Sequence, residues 1–273
     1  MNFDFYKYEV CGNDFILINK LQKTKSNFDN STIIKRLCDR NFGIGADGLI
    51  FLEKKSKYDF DMIYYNSNGV ESSLCGNGAR ACVHLYNIIK NKKEVTFQSK
   101  TGIHKGKTDK KGKVHVELKH ILFNSITKID DDYLIDTGSP HYVKFINDFK
   151  KIDFIISARN IRNNKQFHEK GVNVNFTQKI IKKDFNKTTP LRGFYSRTYE
   201  RGVENETLSC GTGAAAIAIC LSESGIVLKN KYRILFKGGE IGVTFNKNLK
   251  KLIYENIFLS SSVNLVFKGI FEN

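Results

Sequence analysis

Short runs of apolar and β-branched residues, bounded by Gly, Asn, Asp and Lys, recur along the whole chain. Runs of this length, with a period of two, are typical of β-strands. The pattern predicts strands at residues 16–19, 49–52, 60–65, 94–98, 114–118, 133–136, 141–146, 172–176, 193–199, 234–236, 241–245 and 251–254. A chain with so many short strands is expected to fold around sheets rather than as a helical bundle.

Helical patterns are few. Helix-like apolar spacing occurs at residues 33–37, 79–89 and 214–221, and Ser31 is the predicted N-cap of the first of these helices. Many strands with few helices indicate the α+β class, arranged as two mixed domains. The seam is predicted within residues 119–132, where strand signals lapse and Asp130-Asp-Asp132 is typical of a loop.

An internal repeat supports the division into two halves. Residues 71–79 and 206–214 share Glu, Cys, Gly, Gly and Ala at five of nine positions, and their cysteines, Cys75 and Cys210, lie 135 residues apart. Each copy follows a predicted strand and precedes a predicted helix, so each half contains a strand, a Gly-rich turn and a helix.

Composition then narrows the class of protein. With 273 residues, 41% of them hydrophobic and 26% charged, the chain is long enough for a substantial core. No apolar run approaches the roughly 18 residues of a membrane span, and the first residues do not resemble a secretory signal. The six cysteines include no Cys-x-x-Cys pair. A soluble cytoplasmic protein with thiols rather than disulfides is the expectation.

The charge raises one alternative. Lys and Arg outnumber Asp and Glu by 44 to 28, a net charge of +16, which is compatible with binding to nucleic acid. The lysines, however, are scattered among Asn and Ile at loop-like places, as in 90–93, so a solvated surface explains them equally well. We therefore expect no nucleic-acid partner.

Candidate chemistry centres on Cys75 and Cys210. A thiol at the start of a helix lies near backbone N–H groups and the positive end of the helix dipole, which favour its anion. The adjacent glycines allow a ligand carboxylate to approach the same N–H groups. If the halves are related by an approximate two-fold axis, both thiols would face one cleft. Such a pair suits proton removal from one face of a carbon and proton return on the other.

The simplest alternative is that these cysteines are small buried hydrophobes, and we accept this interpretation for Cys11, Cys38, Cys82 and Cys220. A structural disulfide between Cys75 and Cys210 is a second alternative, which a cytosolic setting disfavours. The remaining histidines, at positions 84, 104, 115, 120 and 168, do not have metal-ligand spacing, so no metal site is predicted.

Six motifs together carry a family resemblance: Cys75-Gly-Asn-Gly-Ala-Arg80, Cys210-Gly-Thr-Gly213, Gly12-Asn-Asp-Phe15, Gly43-Ile-Gly-Ala-Asp-Gly48, Ser139-Pro-His141 and Tyr199-Glu-Arg-Gly202. They resemble, in kind and order, the motifs of the diaminopimelate epimerases. The resemblance implies a cofactor-independent isomerase that interconverts LL- and meso-2,6-diaminopimelate, in lysine and peptidoglycan precursor biosynthesis. It also implies a homodimer.

The fold implied by the resemblance has two pseudo-symmetric mixed α/β domains, each a curved, mostly antiparallel sheet around a central helix. Residues 1–119 with 262–273 would form the half that carries Cys75, and residues 120–261 the half that carries Cys210. The last strand, near residues 263–267, would return to the first domain.

Residue roles follow from the same resemblance. It implies Cys75 and Cys210 as the acid/base pair, with Glu200 and His141 beside the reacting amino group and Arg201 paired with the far carboxylate. Backbone N–H groups of Gly76, Asn77, Gly211 and Thr212 would hold the near carboxylate, and Asn13, Asn66 and Asn173 the distal amino-acid centre. The sequence departs from the family pattern at Ser139, where Asn is common, and at Cys11, where a bulkier residue is common. Gly48, where some members have Gln, is given no ligand contact.

Four other interpretations compete with this one. A proline racemase-like enzyme also uses paired Cys-Gly-x-Gly turns, but its ligand has no distal charge for Arg201 to meet. An inactive scaffold that binds nucleic acid would explain the charge, and a thiol-disulfide oxidoreductase would need a Cys-x-x-Cys pair. The segment 43–48 fits a dinucleotide fingerprint, but it follows a predicted helix and precedes a strand, the reverse of that motif.

Overall fold

The computed structural model describes residues 2–22, 30–167, 171–182, 191–226 and 230–272. In chain order the first elements are β1 (Phe3–Val10), β2 (Asn13–Lys20), α1 (Ser31–Cys38), β3 (Gly48–Glu53), β4 (Phe60–Asn66), α2 (Gly76–Lys90), β5 (Glu94–Ser99), β6 (Gly102–Thr108) and β7 (Val114–Leu118). They are followed by β8 (Ile121–Leu122), β9 (Ile126–Ile129), β10 (Asp132–Asp136), β11 (Pro140–Ile146), α3 (Phe154–Arg162), β12 (Asn173–Lys182), β13 (Leu191–Glu200), β14 (Asn205–Thr207), α4 (Gly211–Glu223), β15 (Lys231–Phe236), β16 (Gly239–Asn248), β17 (Ile253–Ser261) and β18 (Asn264–Phe271).

The first of two compact units contains Met1–Glu117 and Ser260–Asn273. Its β1 is antiparallel to both β18 and β2. Strand β2 is parallel to β3, β3 is antiparallel to β4, and β4 is parallel to β5. Strands β5, β6 and β7 are antiparallel in turn. Helix α2 packs against β1, β2, β4 and β6, and every residue of its first two turns is buried. It is therefore the central helix of this unit.

The second unit contains Leu118–Leu259. Strands β9, β10 and β11 are antiparallel in turn, β11 is parallel to β12, and β12 is antiparallel to β13. Strand β13 is then parallel to β15, which is antiparallel to β16. Helix α4 packs against β10, β11, β12, β15 and β16, and Gly213–Leu221 is wholly buried. Its run of alanines allows the helix to lie close to the sheet, because each side chain is only a methyl group.

The repeat seen in the sequence is also a repeat of topology. From β1 to β6 the successive pairings are antiparallel, parallel, antiparallel, parallel and antiparallel. The same order recurs through β10, β11, β12, β13, β15 and β16. In each unit the central helix lies, in chain order, between the two strands of the second parallel pair: α2 between β4 and β5, and α4 between β13 and β15. The predicted α+β class, with mixed sheet and few helices, is confirmed. The assignment of each unit to one catalytic half stays a prediction.

Two local predictions were wrong. The N-cap of α1 is Asn30, whose Oδ1 accepts the Thr32 N–H at 2.8 Å, and not Ser31, which is the first helical residue. The predicted loop residue Asp132 begins β10, where its carboxylate accepts the Tyr142 hydroxyl at 2.6 Å and Lys144 Nζ at 2.8 Å. These partners lie in the neighbouring strand β11. The residues next to Asp132 in the sequence therefore do not show why it belongs to a strand.

Candidate active site

Cys75 is the residue directly before the central helix of the first unit. Its backbone is extended, at φ −98° and ψ 116°, and the helix begins with Gly76-Asn77-Gly78. The thiol is half-buried, whereas Asn77 is only 2% exposed. The predicted placement of a cysteine at a helix start, beside N–H groups that have no partner within the helix, is therefore observed.

Two of the predicted asparagines meet in this unit. Asn77 Nδ2 donates to Asn13 Oδ1 at 2.5 Å, and Asn13 Nδ2 donates to Asp47 Oδ2 at 3.0 Å. Asn13 opens β2 and Asp47 directly precedes β3, the strand parallel to it. The pairing of two strands thus fixes the orientation of both amides. Asn66, the third predicted residue of this unit, ends β4 half-buried, and its N–H donates to the Val70 carbonyl at 3.0 Å.

Asp14, the residue after Asn13 in β2, forms ion pairs beside the Asn77–Asn13–Asp47 hydrogen bonds. Its carboxylate accepts Arg40 Nη2 and Lys7 Nζ, each at 2.7 Å. Burial raises the pKa of Asp14, but hydrogen bonds and charges from Arg40 and Lys7 outweigh burial and lower it to about 2. Arg40 also reaches Asp47 at 2.9 Å, so one guanidinium holds both carboxylates beside Asn13.

Cys210 has the corresponding position in the second unit, directly before α4. Its Sγ accepts the Gly213 N–H at 3.4 Å and lies 3.6 Å from Thr212 Oγ1. A Cβ on Gly213 would lie 2.6 Å from Asn175 Oδ1 and 3.2 Å from the Cys210 sulfur. Only glycine therefore fits the third residue of this helix without displacing the polar groups around the thiol.

A series of side-chain hydrogen bonds connects Thr212, next to the Cys210 sulfur, to His141 and Asn175. Thr212 Oγ1 and His141 Nε2 are 2.9 Å apart, and His141 Nδ1 is 3.0 Å from Asn175 Nδ2. An amide nitrogen is a donor, so we infer that Nδ1 accepts and that the proton of the neutral ring is on Nε2. Burial lowers the pKa of His141 to about 3, with a further contribution from the Arg201 charge. The ring is therefore neutral at physiological pH, and both of its nitrogens are used by protein groups.

Asn173, the first residue of β12, contacts Arg201. The Asn173 side chain donates to Ser139 Oγ at 2.8 Å and accepts the Arg201 N–H at 2.9 Å. Arg201 lines a pocket of about 650 Å³ within this unit, together with Leu134, Asp136, Pro140, Gln166, Phe167, Gly171 and Val172. A pocket of this volume suits a small-molecule ligand. Glu200, immediately before Arg201, ends β13 half-buried.

Arg80 and Asn175 lie in these networks although the sequence analysis gave them no role. Arg80 is fully buried, and its Nη2 donates to Asn77 Oδ1. Asn175 joins His141 to Thr198, whose Oγ1 donates to Asn175 Oδ1 at 2.8 Å. Signals for both existed. Arg80 is the last residue of the first cysteine motif, and Asn175 is two positions from Asn173, on the same face of its strand.

The described part of the chain contains thiols but no cluster of metal-binding side chains. All six cysteines of the chain are among the described residues, and all are thiols. The described part includes no group of three or more His, Cys, Asp or Glu side chains arranged to hold a metal ion. Among the helices that the structure describes, none is both long enough and apolar enough to cross a membrane.

Solved structures with this fold define its class. The chain superposes on a PhzF-family phenazine biosynthesis protein from Bacillus anthracis with a TM-score of 0.71 and 12% identity, covering 100% of both chains. It also matches a probable proline racemase from Agrobacterium radiobacter K84, with a TM-score of 0.64 and 13% identity, covering 99% of this chain and 92% of the other. The fold is thus one shared by racemases, epimerases and PhzF-type proteins.

Sequence comparison identifies the family within that class. The family model "Diaminopimelate epimerase" matches residues 5–120 and 133–256. The diaminopimelate epimerase of Flavobacterium psychrophilum is 41% identical over 96% of this chain and 98% of its own length, and that of Aquifex aeolicus is 34% identical over 97% and 96%. The chain belongs to the diaminopimelate epimerase family, and it is an isomerase. The family resemblance stated from the motifs is confirmed.

Proposed function

We propose that this protein interconverts LL- and meso-2,6-diaminopimelate by a two-thiol proton exchange that needs no cofactor. One observation carries the proposal: in each unit a Cys-Gly-x-Gly turn places a cysteine directly before the central helix, which is buried over Gly76–Val83 in the first unit and Gly213–Leu221 in the second. Membership of the family supports the substrate. The expected setting is the cytoplasm, in lysine and peptidoglycan precursor biosynthesis.

In the proposed reaction one thiolate removes the proton from an α-carbon, and the other thiol delivers a proton to the opposite face. The number of protons on the ligand is unchanged, and the thiol and thiolate exchange places between Cys75 and Cys210. Charge that develops on the adjacent carboxylate is stabilised by the N–H groups of Gly76, Asn77, Gly211 and Thr212, which have no acceptor within their own helix turns. The reverse reaction restores the starting protonation state.

The distal end of the ligand carries a second carboxylate and a second ammonium group. We assign that carboxylate to Arg201, whose planar guanidinium suits bidentate pairing and which lines the pocket of the second unit. Asn13, Asn66 and Asn173 are assigned to the distal amino-acid centre, since amides offer both donors and acceptors. Glu200 is assigned to the ammonium group at the reacting carbon.

His141 was expected beside the reacting amino group, but its position supports a different role. Because both ring nitrogens are used by Thr212 and Asn175, we propose that His141 acts through Thr212. The imidazole N–H would hold the Thr212 hydroxyl in a fixed orientation 3.6 Å from the Cys210 sulfur. In this role His141 is a positioning residue, and Cys75 and Cys210 are the catalytic pair.

The deciding experiment is proton NMR of LL-diaminopimelate with reduced enzyme in deuterium oxide, without added cofactor. The proposal expects loss of the α-proton signal together with appearance of the meso isomer. Parallel samples contain L-proline and trans-4-hydroxy-L-proline, because a hydroxyproline epimerase shares this fold at 10% identity and a TM-score of 0.62. Turnover of a proline substrate with none of diaminopimelate would overturn the proposal.

We further propose that the protein is a homodimer and that it has no nucleic-acid or membrane partner. Strand β18 supports the dimer, because it pairs with β1 while leaving Val266 56% and Ile270 63% exposed. Exposed apolar side chains gathered on one strand favour an interface with a second copy.

A further inference from the structure

Arg201, to which the distal carboxylate is assigned, belongs to a short turn that follows β13. The turn covers residues 200–204 and is closed by its last N–H, which donates to its first carbonyl at 2.8 Å. The Arg201 N–H donates to Asn173 Oδ1 at 2.9 Å, and the Gly202 N–H donates to Glu204 Oε1 at 3.1 Å. These bonds fix the backbone of the turn, so the direction of the Arg201 side chain is set by other contacts.

Helix α3 supplies a cation to this turn. Arg162 is the last residue of α3, and its Nη2 donates to Glu204 Oε1 at 2.9 Å, the same oxygen that accepts the Gly202 N–H. Glu204 has a left-handed backbone, at φ 54°, a conformation that residues other than glycine and asparagine rarely adopt. The carboxylate, and not the backbone conformation, therefore accounts for a glutamate at this position.

Stability does not account for the ion pair between Arg162 and Glu204. The Glu204 side chain is 46% exposed, and an ion pair with so exposed a partner contributes little to folding. The Arg162 Nε atom is buried, and no hydrogen-bond partner for it occurs among the described residues, which is unfavourable. A pair that stabilises the fold so little, and that leaves a buried donor unsatisfied, points to a role in function.

Arg162 and Arg201 pass over the same glycine. A Cβ on Gly171 would lie 2.6 Å from Arg201 Cδ and 2.9 Å from Arg162 Nη2. Gly171 also has a left-handed backbone, at φ 68°, so a larger residue would be strained and would displace one of the two arginines. The Arg162 guanidinium thus forms one side of the space that the Arg201 side chain occupies.

The charges around this point favour one carboxylate at Arg201. Two guanidinium groups this close repel each other, and the Glu204 carboxylate offsets the charge of Arg162. Among the described residues that line the pocket of about 650 Å³, Arg201 is the one cation. The direction of a single guanidinium therefore decides whether a second carboxylate of a ligand is recognised there.

We propose that Arg162 and Glu204 are positioning residues that hold Arg201 toward the distal carboxylate. They thereby set the preference of the enzyme for an amino acid with a carboxylate at both ends over one with a single carboxylate. Arg162 acts by packing beside Arg201, and Glu204 by fastening the turn and offsetting the charge of Arg162. The role of Arg201 toward the ligand rests on the proposed function, whereas the ion pair and its contact with Arg201 do not.

The test uses two ligands that differ by one carboxylate, since L-lysine is LL-diaminopimelate without the distal one. We measure kcat and KM for LL-diaminopimelate and the inhibition constant of L-lysine. We expect Arg162→Met and Glu204→Ala each to raise KM about tenfold, with kcat within about threefold, because the distal contact is made equally before and during proton transfer. The inhibition constant of L-lysine should stay within about twofold, because L-lysine makes no distal contact.

Three comparisons separate this role from a general loss of structure. Arg159→Met changes an exposed arginine of the same helix and should leave all three constants unchanged. Arg162→Lys keeps the charge beside Glu204 and should keep KM within about threefold. The double variant of Arg162→Met with Glu204→Ala should raise KM no further than either change alone, because both break the same ion pair.

A KM that is unchanged in the folded variants, or a lysine inhibition constant that rises as much as KM, would overturn the proposal. Hydrogen exchange, followed by mass spectrometry without ligand, should be about tenfold faster over residues 200–204 in Arg162→Met, and equal exchange would also overturn it. Should Arg162→Met not fold, Glu204→Ala, at a side chain 46% exposed, decides by its kinetic constants. Failure of the unaltered enzyme to act on LL-diaminopimelate would instead count against the proposed function.

Discussion

The two motif cysteines are the residues on which the proposed chemistry depends most directly. We predict that Cys75→Ala and Cys210→Ala each reduce kcat for epimerisation by about a thousandfold or more, because each removes a group that must transfer a proton. The fold should persist, since each cysteine directly precedes its helix and the change to Ala removes only one sulfur atom. The measurement is kcat in both directions with circular dichroism of each variant.

Cys220→Ala supplies the matched control. Cys220 is fully buried on α4, ten residues beyond Cys210, and burial raises its pKa well above the usual value. It should therefore act as a small hydrophobe, and its loss should leave kcat within about twofold while reducing stability by about 1 kcal/mol. Normal turnover in Cys75→Ala or Cys210→Ala would contradict the two-thiol assignment.

Asp14 gives a prediction for stability against pH. Because its pKa is lowered to about 2 in the folded protein, its ionised form stabilises the fold at every pH above the unfolded value of about 4, and this contribution is lost as the pH falls toward 2. Asp14→Asn should lower the free energy of unfolding by about 2 kcal/mol at neutral pH. In urea titrations the difference from the enzyme should shrink steadily below pH about 4.

Asp131→Asn, on an exposed turn before β10, is the comparison for that experiment. The change removes a carboxylate with no contact comparable to those of Asp14 with Arg40 and Lys7, so a small difference at every pH is expected. A difference for Asp14→Asn that stayed constant on acidification would show that the carboxylate is not stabilised by these two cations.

At the scale of elements, we predict that replacing the third residue of each central helix, a glycine in both, by alanine destabilises the two units to different extents. A Cβ on Gly213 would meet Asn175 Oδ1 at 2.6 Å, and Asn175 is held by His141 and Thr198. A Cβ on Gly78 would meet Ile50 Cδ1 at 2.6 Å, which is the end of a flexible apolar chain. Gly213→Ala should therefore cost about 1–3 kcal/mol of unfolding free energy and Gly78→Ala clearly less. Equal losses in chemical denaturation would argue against a rigid polar network in the second unit.

The elements that the sequence predicted well are those with a strong local signal. The helices after both cysteines and strands such as β7 and β11 have clear apolar periodicity bounded by turn residues. Helix α3 was missed because its sequence is rich in isoleucine, and only Phe154 and Ala158, one helical turn apart, are buried. Strand β1 was missed because charged residues alternate with its aromatic ones. Lys7, one of them, is nonetheless buried through its pairing with Asp14.

In the candidate site, too, residues with a local sequence signal were predicted, whereas contacts between distant residues were not. Cysteines and glycines were identified because the motif is duplicated, and the helix starts are where the pattern placed them. The contacts of Asn77 with Asn13, of His141 with Thr212 and of Asn173 with Ser139 could not be predicted, since each joins residues far apart in the chain. Sequence spacing predicted candidate site residues, but not that Thr212 and Asn175 would occupy both nitrogens of His141.

At the scale of the whole molecule, the apolar surface of β18 predicts association with a second copy. Val266 and Ile270 both belong to β18, four residues apart, and are more than half exposed. We predict that the enzyme sediments as a dimer and that the double variant Val266→Lys and Ile270→Lys sediments as a monomer, because two buried charges would meet their own copies across a two-fold axis.

Leu249→Lys with Leu252→Lys adds the same charge at leucines that are 69% and 60% exposed in the turn between β16 and β17. This control should remain a dimer, so a general effect of added charge on a chain that already carries +16 is separated from loss of the interface. A folded Val266→Lys and Ile270→Lys variant that still dimerised would place the interface elsewhere. Strand β18 pairs with β1, which leads directly into the turn before Asn13. Epimerase activity per chain should therefore decline on dilution below the dimer dissociation constant.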